Sequence, residues 1–145
     1  MAYRFVNAYT IVFAAVAVLM FSLAAIATRH RSRRPAIPLA VFLVGVGIWS
    51  LGDAVRIAAP TEGQIFFWNV VSYVGMTGVT PGILYFAAAV TNRERWFRRR
   101  YVAVVCGVPV GVLGIVLTNH WHHLFHASLV YDPGTAPPVL TEVYG

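Results

Sequence analysis

The sequence predicts an all-α polytopic membrane protein, a helix bundle of four transmembrane helices with its N-terminus outside. Three observations predict it. Of the 145 residues, 59% are apolar and 11% charged, and the mean hydropathy is +0.70. A soluble domain has about 45 to 50% apolar and about 25% charged residues, so this chain lacks the polar surface to cover a core. The apolar residues gather into four long stretches, at about 5–28, 36–59, 65–90 and 101–117. The 11 basic residues are all Arg, and most of them sit in two short connections between those stretches. That placement, more than the net charge of +6, speaks for a lipid bilayer as partner and against nucleic acid.

The first stretch runs 24 residues without a charge, enough to cross a hydrocarbon layer of about 30 Å at about 1.5 Å per residue. Ala25-Ile26-Ala27 has the small-x-small form of a signal-peptidase site. The run is nevertheless too long for a usual signal core, and four Arg follow it at once, so it reads as a retained helix. The second stretch opens on Pro35 and Pro38, which a first helical turn tolerates because its N–H groups lack intrahelical partners. The third has 26 residues without a charge and the fourth 17, the latter near the short end of the spanning range. A soluble helix needs a polar face, and these runs have none wide enough.

Orientation follows from the Arg. Arg29, Arg31, Arg33 and Arg34 lie in the first connection and Arg93, Arg95, Arg98, Arg99 and Arg100 in the third, which makes that side cytoplasmic. Trp96, Phe97 and Tyr101 suit interfacial anchors there. The N-terminus, the connection around Thr61-Glu62-Gly63 and residues 118–145 then lie outside, giving a multi-pass protein of the plasma membrane. The segment 118–145 reads as an extracellular loop or truncated tail, with Asp132-Pro133-Gly134 and Pro137-Pro138 as turn and extended signals. Cys106, the only cysteine, permits neither an intrachain disulfide nor a cysteine-based metal motif. No cofactor is expected.

Polar groups inside a span cost several kcal/mol when unpaired, so each needs a partner or a function. Trp49, Asp53 and Arg56 fall at i, i+4 and i+7 on one face of the second helix, and Asp53 and Arg56 are spaced to pair. The pair either snorkels to the outer interface or faces the bundle interior. In the third span Asn69, Tyr73, Met76 and Thr80 form a helical stripe expected to face other helices. Asn69 and Tyr73 share the depth of Asp53, which supports either interhelical hydrogen bonding or a small ligand pocket open to the outside. Gly78 with Gly82, and Gly107 with Gly111, have the small-xxx-small spacing that permits close helix approach. Pro81 and Pro109 are expected to bend their helices.

His120, His122, His123 and His126 lie just beyond the fourth span. His122 and His126, at i and i+4, would share a metal if that stretch were helical, but no Cys lies near and the carboxylates are distant in sequence, so no metal is assigned. A pH-responsive role and a plain interfacial polar segment stay open.

Three local patterns, in order, then carry a resemblance. They are Ile48-Trp49-Ser50-Leu51-Gly52 in the second helix, Pro81-Gly82-Ile83-Leu84-Tyr85-Phe86-Ala87 running to Val90-Thr91-Asn92-Arg93, and Thr118-Asn119-His120-Trp121-His122-His123-Leu124-Phe125. Together they resemble the N-terminal seven-transmembrane sensor region of membrane histidine kinases, with Arg56 and His126 departing from its pattern. The resemblance implies that 1–145 is a partial region of this kind, its first four helices only, with further transmembrane helices, a linker and a cytoplasmic kinase module to follow. It implies a sensory input domain of a two-component system that detects an extracellular or membrane signal. Candidates for sensing are Trp49, Asp53, Asn69, Tyr73, Asn119, His122 and His123. A phosphoacceptor-histidine helix, an Asn-rich nucleotide box and a Gly-rich phosphate loop are all missing from this string, so the chain is read as no enzyme. A homodimer is an open arrangement. Two other classes compete: a small transporter or channel subunit, which would want charges or broken helices near mid-depth, and a structural membrane partner assembling through the glycine faces.

Overall fold

The computed structural model describes residues 8–93, 99–118, 121, 128–131 and 140–143. Four helices form in chain order, α1 (Ala8–Arg29), α2 (Ala36–Ala58), α3 (Glu62–Val90) and α4 (Arg99–Leu117). Three of them, α1 to α3, are long and apolar enough to cross a membrane, and α4 supplies a shorter apolar helix over Tyr101–Leu117. The bounds fall within three residues of those expected wherever the chain is described; α3 starts earlier, at Glu62, and α4 at Arg99.

The helix ends follow from local chemistry. Between α1 and α2 the backbone closes on itself: His30 N–H donates to Ala27, Arg31 to Thr28, Arg33 to His30 and Ala36 to Arg33. Thr61 caps α3, its hydroxyl accepting from Gln64 N–H at 3.4 Å, the first half of a capping box. The other end of α3 is a Schellman motif, with Arg93 N–H donating to Ala88 and Asn92 N–H to Ala89. That motif needs a left-handed residue just past the cap, and Asn92 supplies it at φ 54°. Both Pro81 and Pro109 lie inside continuous helices.

Among the described residues extensive helix contacts run only between chain neighbours, α1 with α2, α2 with α3 and α3 with α4, so the helices pack as a row. The α2–α3 contact is the largest and α3–α4 the smallest of the three. On α1 the buried positions are Ala17, Ala24 and Ala27, and the Phe21 ring covers Gly47, where a Cβ would lie 2.8 Å from Phe21 Cε1. Between α2 and α3 the backbones themselves touch. A Cβ on Gly45 would stand 2.9 Å from the Gly75 carbonyl oxygen, one on Gly82 would stand 2.7 Å from Phe42 N, and one on Gly75 would run into Trp49 N. These contacts pair rising numbers on α2 with falling ones on α3, which makes the helices antiparallel.

Gly82 and Gly78 both lie at the close approach, Gly82 against Phe42 and the Gly78 backbone against Gly45, whose added Cβ would stand 3.2 Å from Gly78 C. One expectation needs correction. Among the described residues the α4 glycines approach nothing: a Cβ on Gly107, Gly111 or Gly114 meets no atom within 4 Å. The reason is rotation, because α4 turns Val116, 1% exposed, into the protein and its glycines away. Beyond the helices, Ser128–Tyr131 (β1) pairs antiparallel with Leu140–Val143 (β2), Ser128 opposite Val143 and Tyr131 opposite Leu140. The turn and extended signals at Asp132-Pro133-Gly134 and Pro137-Pro138 lie outside the described residues.

Gly75→Ala should destabilise the protein by about 1–3 kcal/mol, because the added methyl meets backbone that cannot step aside. Gly111→Ala, placed in open space, should be neutral or stabilising by about 0.5–1 kcal/mol through helix propensity. Thermal unfolding of both variants in the same detergent checks the contrast; equal shifts would contradict the packing described.

Candidate functional site

The polar residues of α2 and α3 meet near the ends that flank Thr61. Asp53 and Arg56 are one helical turn apart on α2, and their side chains form an ion pair, Arg56 Nη2 to Asp53 Oδ1 at 3.3 Å. The side chains are only 13% exposed for Asp53 and 26% for Arg56. Of the two arrangements the spacing allows, the one that faces the helix interface is realised.

What draws Asp53 inward is a residue that spacing arguments passed over. Ser72 of α3 is 3% exposed and its hydroxyl lies 3.1 Å from Asp53 Oδ1, 3.2 Å from the Trp68 carbonyl and 3.4 Å from the Trp49 carbonyl. A serine hydroxyl carries one hydrogen, so the three acceptors compete for it. Donation to Asp53 or Trp49 ties α3 to α2, whereas donation to Trp68 stays within α3. Gly52 makes the meeting possible, since a Cβ there would collide with Ser72 Oγ. The available signal was a small polar residue placed among glycines at helical spacing, which is what close interfaces in lipid select.

The predicted site residues divide accordingly. Trp49 and Asp53 of α2 come together with Ser72 across the interface: the Trp49 backbone abuts Gly75, and its carbonyl reaches the hydroxyl. Asn69 and Tyr73, three residues before Ser72 and one after it, are half-buried on its flank. Met76 and Thr80, placed in the same stripe, are exposed. The side of α3 that meets α2 runs through Ser72, Gly75, Val79 and Gly82, one residue and hence about 100° around the helix from the polar stripe. Backbone contact favours the small residues, and the stripe is displaced sideways. Phe67 and Trp68 stack edge to face, centroids 5.4 Å apart, beside this cluster in sequence. Asn119, His120, His122, His123 and His126 lie outside the described residues. Among the described residues no group of three or more His, Cys, Asp or Glu side chains could hold a metal ion.

Chemically, the arrangement is a carboxylate held between an arginine of its own helix and a hydroxyl of the next. The Ser72 hydroxyl has acceptors on both helices within reach. Ser72→Ala removes the interhelical donor and should cost about 0.6 kcal/mol, and at most about 1.7 kcal/mol, the range measured for such bonds in lipid. Ser22, whose hydroxyl turns back on Val18 of its own helix at an exposed position, is the control, and Ser22→Ala should be silent. Equilibrium unfolding of the two variants in micelles measures the difference.

A family model described as the N-terminal 7TM region of histidine kinase matches residues 11–145. No curated protein and no solved structure gives a significant match. The match takes in every described helix except the first three residues of α1, and it agrees with a membrane protein built of apolar helices. The chain belongs to the family of N-terminal 7TM regions of histidine kinases.

Proposed function

We propose that this chain is a membrane-embedded sensory input domain of a two-component histidine kinase, which detects an extracellular or membrane signal and relays it to a cytoplasmic kinase module. The single observation that carries this reading is the Asp53–Ser72 contact across α2 and α3, buried and linked to Arg56. A purely structural interface has no need of a carboxylate in lipid, because glycine packing alone brings these helices together. Trp49, Asp53, Asn69 and Tyr73 form the proposed sensing group, with Ser72 added to them. Asn119, His122 and His123 remain proposed members from the family pattern.

The N-terminus lies outside in this reading, and the protein spans the plasma membrane several times. Support comes from nine of the 11 Arg falling in the first and third connections, the side that the positive-inside rule makes cytoplasmic. The polar cluster then sits toward the outer surface, where a signal arrives. Because glycine contacts fasten α3 to α2, those two helices move as a unit, and the smaller α3–α4 contact is where displacement is least opposed. A ligand that binds one arrangement of this contact more tightly shifts the population toward it. Kinase chemistry lies in the cytoplasmic module, not in these helices.

In the full-length kinase that carries this region, Asp53→Asn and Ser72→Ala should each change basal autophosphorylation severalfold, while Thr80→Val, at an exposed position of α3, should leave it unchanged. Membrane levels of each variant are measured alongside. Unchanged phosphorylation in all three, at equal protein levels, overturns the sensing role of the cluster.

A further inference from the structure

At the end of the row opposite the polar cluster, the Arg of the first connection form no ion pair among the described residues. Antiparallel packing puts the connection from α1 to α2 beside the C-terminal end of α3. In that connection Arg29, Arg31, Arg33 and Arg34 are all exposed. The described ion pair is at the other end, between Arg56 and Asp53. Of the five acidic residues of the chain only Glu94 falls in the first or third connection, against nine Arg.

We propose that this end is a docking surface for anionic phospholipid headgroups, whose phosphates are held by the guanidinium groups of the first connection. The connection is a compact turn in which the carbonyls of Ala27, Thr28, His30 and Arg33 accept from backbone N–H groups, the Ala25 carbonyl accepts from the Thr28 hydroxyl, and a His30 ring nitrogen is set against the Ile26 carbonyl. These carbonyls have donors already and do not call on the arginine side chains, each of which presents five N–H donors in a planar fork. That fork matches two phosphate oxygens at once, which an ammonium cannot do. The total absence of Lys fits a surface that recognises phosphate by geometry as well as by charge. Helices on either side set the turn at headgroup depth, where anionic lipids attract arginine most strongly. The inference rests on the membrane placement of the helices and not on signalling, so it and the sensing role fail independently.

The test uses the purified chain in neutral detergent, titrated with phosphatidylglycerol or phosphatidylcholine, with bound lipid counted by native mass spectrometry. Phosphatidylglycerol should be retained in clear preference. Arg31→Gln with Arg33→Gln should weaken its binding by about fivefold for each charge removed. Replacing Arg29, Arg31, Arg33 and Arg34 together by Lys keeps the charge and should still lose several-fold affinity. Circular dichroism checks that each variant remains helical. Equal retention of the two lipids, an unchanged preference in the Gln or Lys variants, or tighter binding of polyglutamate than of phosphatidylglycerol overturns the proposal, the last marking the surface as a protein contact.

Discussion

The backbones of α2 and α3 touch, and the rest of the structure depends on that contact. In lipid the hydrophobic effect gives helices no reason to associate, because the alternative neighbour is as apolar as they are. Association comes instead from dispersion, which falls steeply with distance, and only small residues let the axes draw close. Gly45, Gly52, Gly75 and Gly82 provide those places, and at each of them a Cβ would strike the facing helix. The same closeness determines the polar chemistry. Serine has the shortest of the hydroxyl side chains, and Ser72 reaches Asp53 Oδ1 at 3.1 Å only because Gly52 leaves the gap open. Packing and polar pairing are one feature here, since enlarging Gly52 would push away the hydroxyl that satisfies Asp53.

From that contact outward, the packing loosens. The α1–α2 contact is of another kind, a large ring of Phe21 laid on Gly47 with alanines at Ala17, Ala24 and Ala27 filling the remainder. It needs no backbone touch and leaves many large side chains of α1 exposed, among them Ile11, Val12 and Val18. In water such a surface would drive aggregation; in a bilayer it is the ordinary lipid-facing side. The last helix, α4, meets α3 alone to any extent and directs Val104, Val108 and Ile115 outward. Among the described helices the contact thus shrinks from the α2–α3 pair to α3–α4.

The helices were legible in the sequence because length and absence of charge are cumulative signals, strong over 24 or 26 residues even when each residue says little. Their rotation about their own axes was much less so. A soluble helix declares its buried side by apolar periodicity, but a membrane helix is apolar toward both lipid and protein, and that signal vanishes. Large polar residues then drew attention, which put the inward face of α3 on Asn69, Tyr73, Met76 and Thr80. The face in contact with α2 lies one residue earlier, marked by Ser72, Gly75 and Gly82. The Asp53–Arg56 pairing was readable, since spacing alone brings i and i+3 together, yet whether it faced lipid surface or interface depended on Ser72, a residue 19 positions away. The short ribbon of β1 and β2 was beyond reach for a different reason: four residues per strand offer too few alternations to establish a period.

The polar cluster and the glycine contacts together limit how any signal could act there. Asp53 is flanked by Arg56 on its own helix and by Ser72 across the gap, so a ligand cannot enter between α2 and α3 without parting backbones that touch at Gly75 and Gly45. In the proposed sensing role a ligand approaches from the flank, where Asn69 and Tyr73 are half-buried. A group arriving on that side can compete for the Asp53 carboxylate without separating the helices, and the Ser72 hydrogen then has an acceptor waiting within its own helix, the Trp68 carbonyl at 3.2 Å. The exchange leaves no hydroxyl unsatisfied, so its cost is small compared with that of opening the interface. It replaces a bond between helices by one within a helix, and the tie it removes lies next to Gly52, at the end of the α2–α3 contact farthest from the Arg-bearing connections. The proposed sensing group is thus built where a polar exchange can weaken one end of a rigid pair while the glycine contacts farther along hold the rest in register.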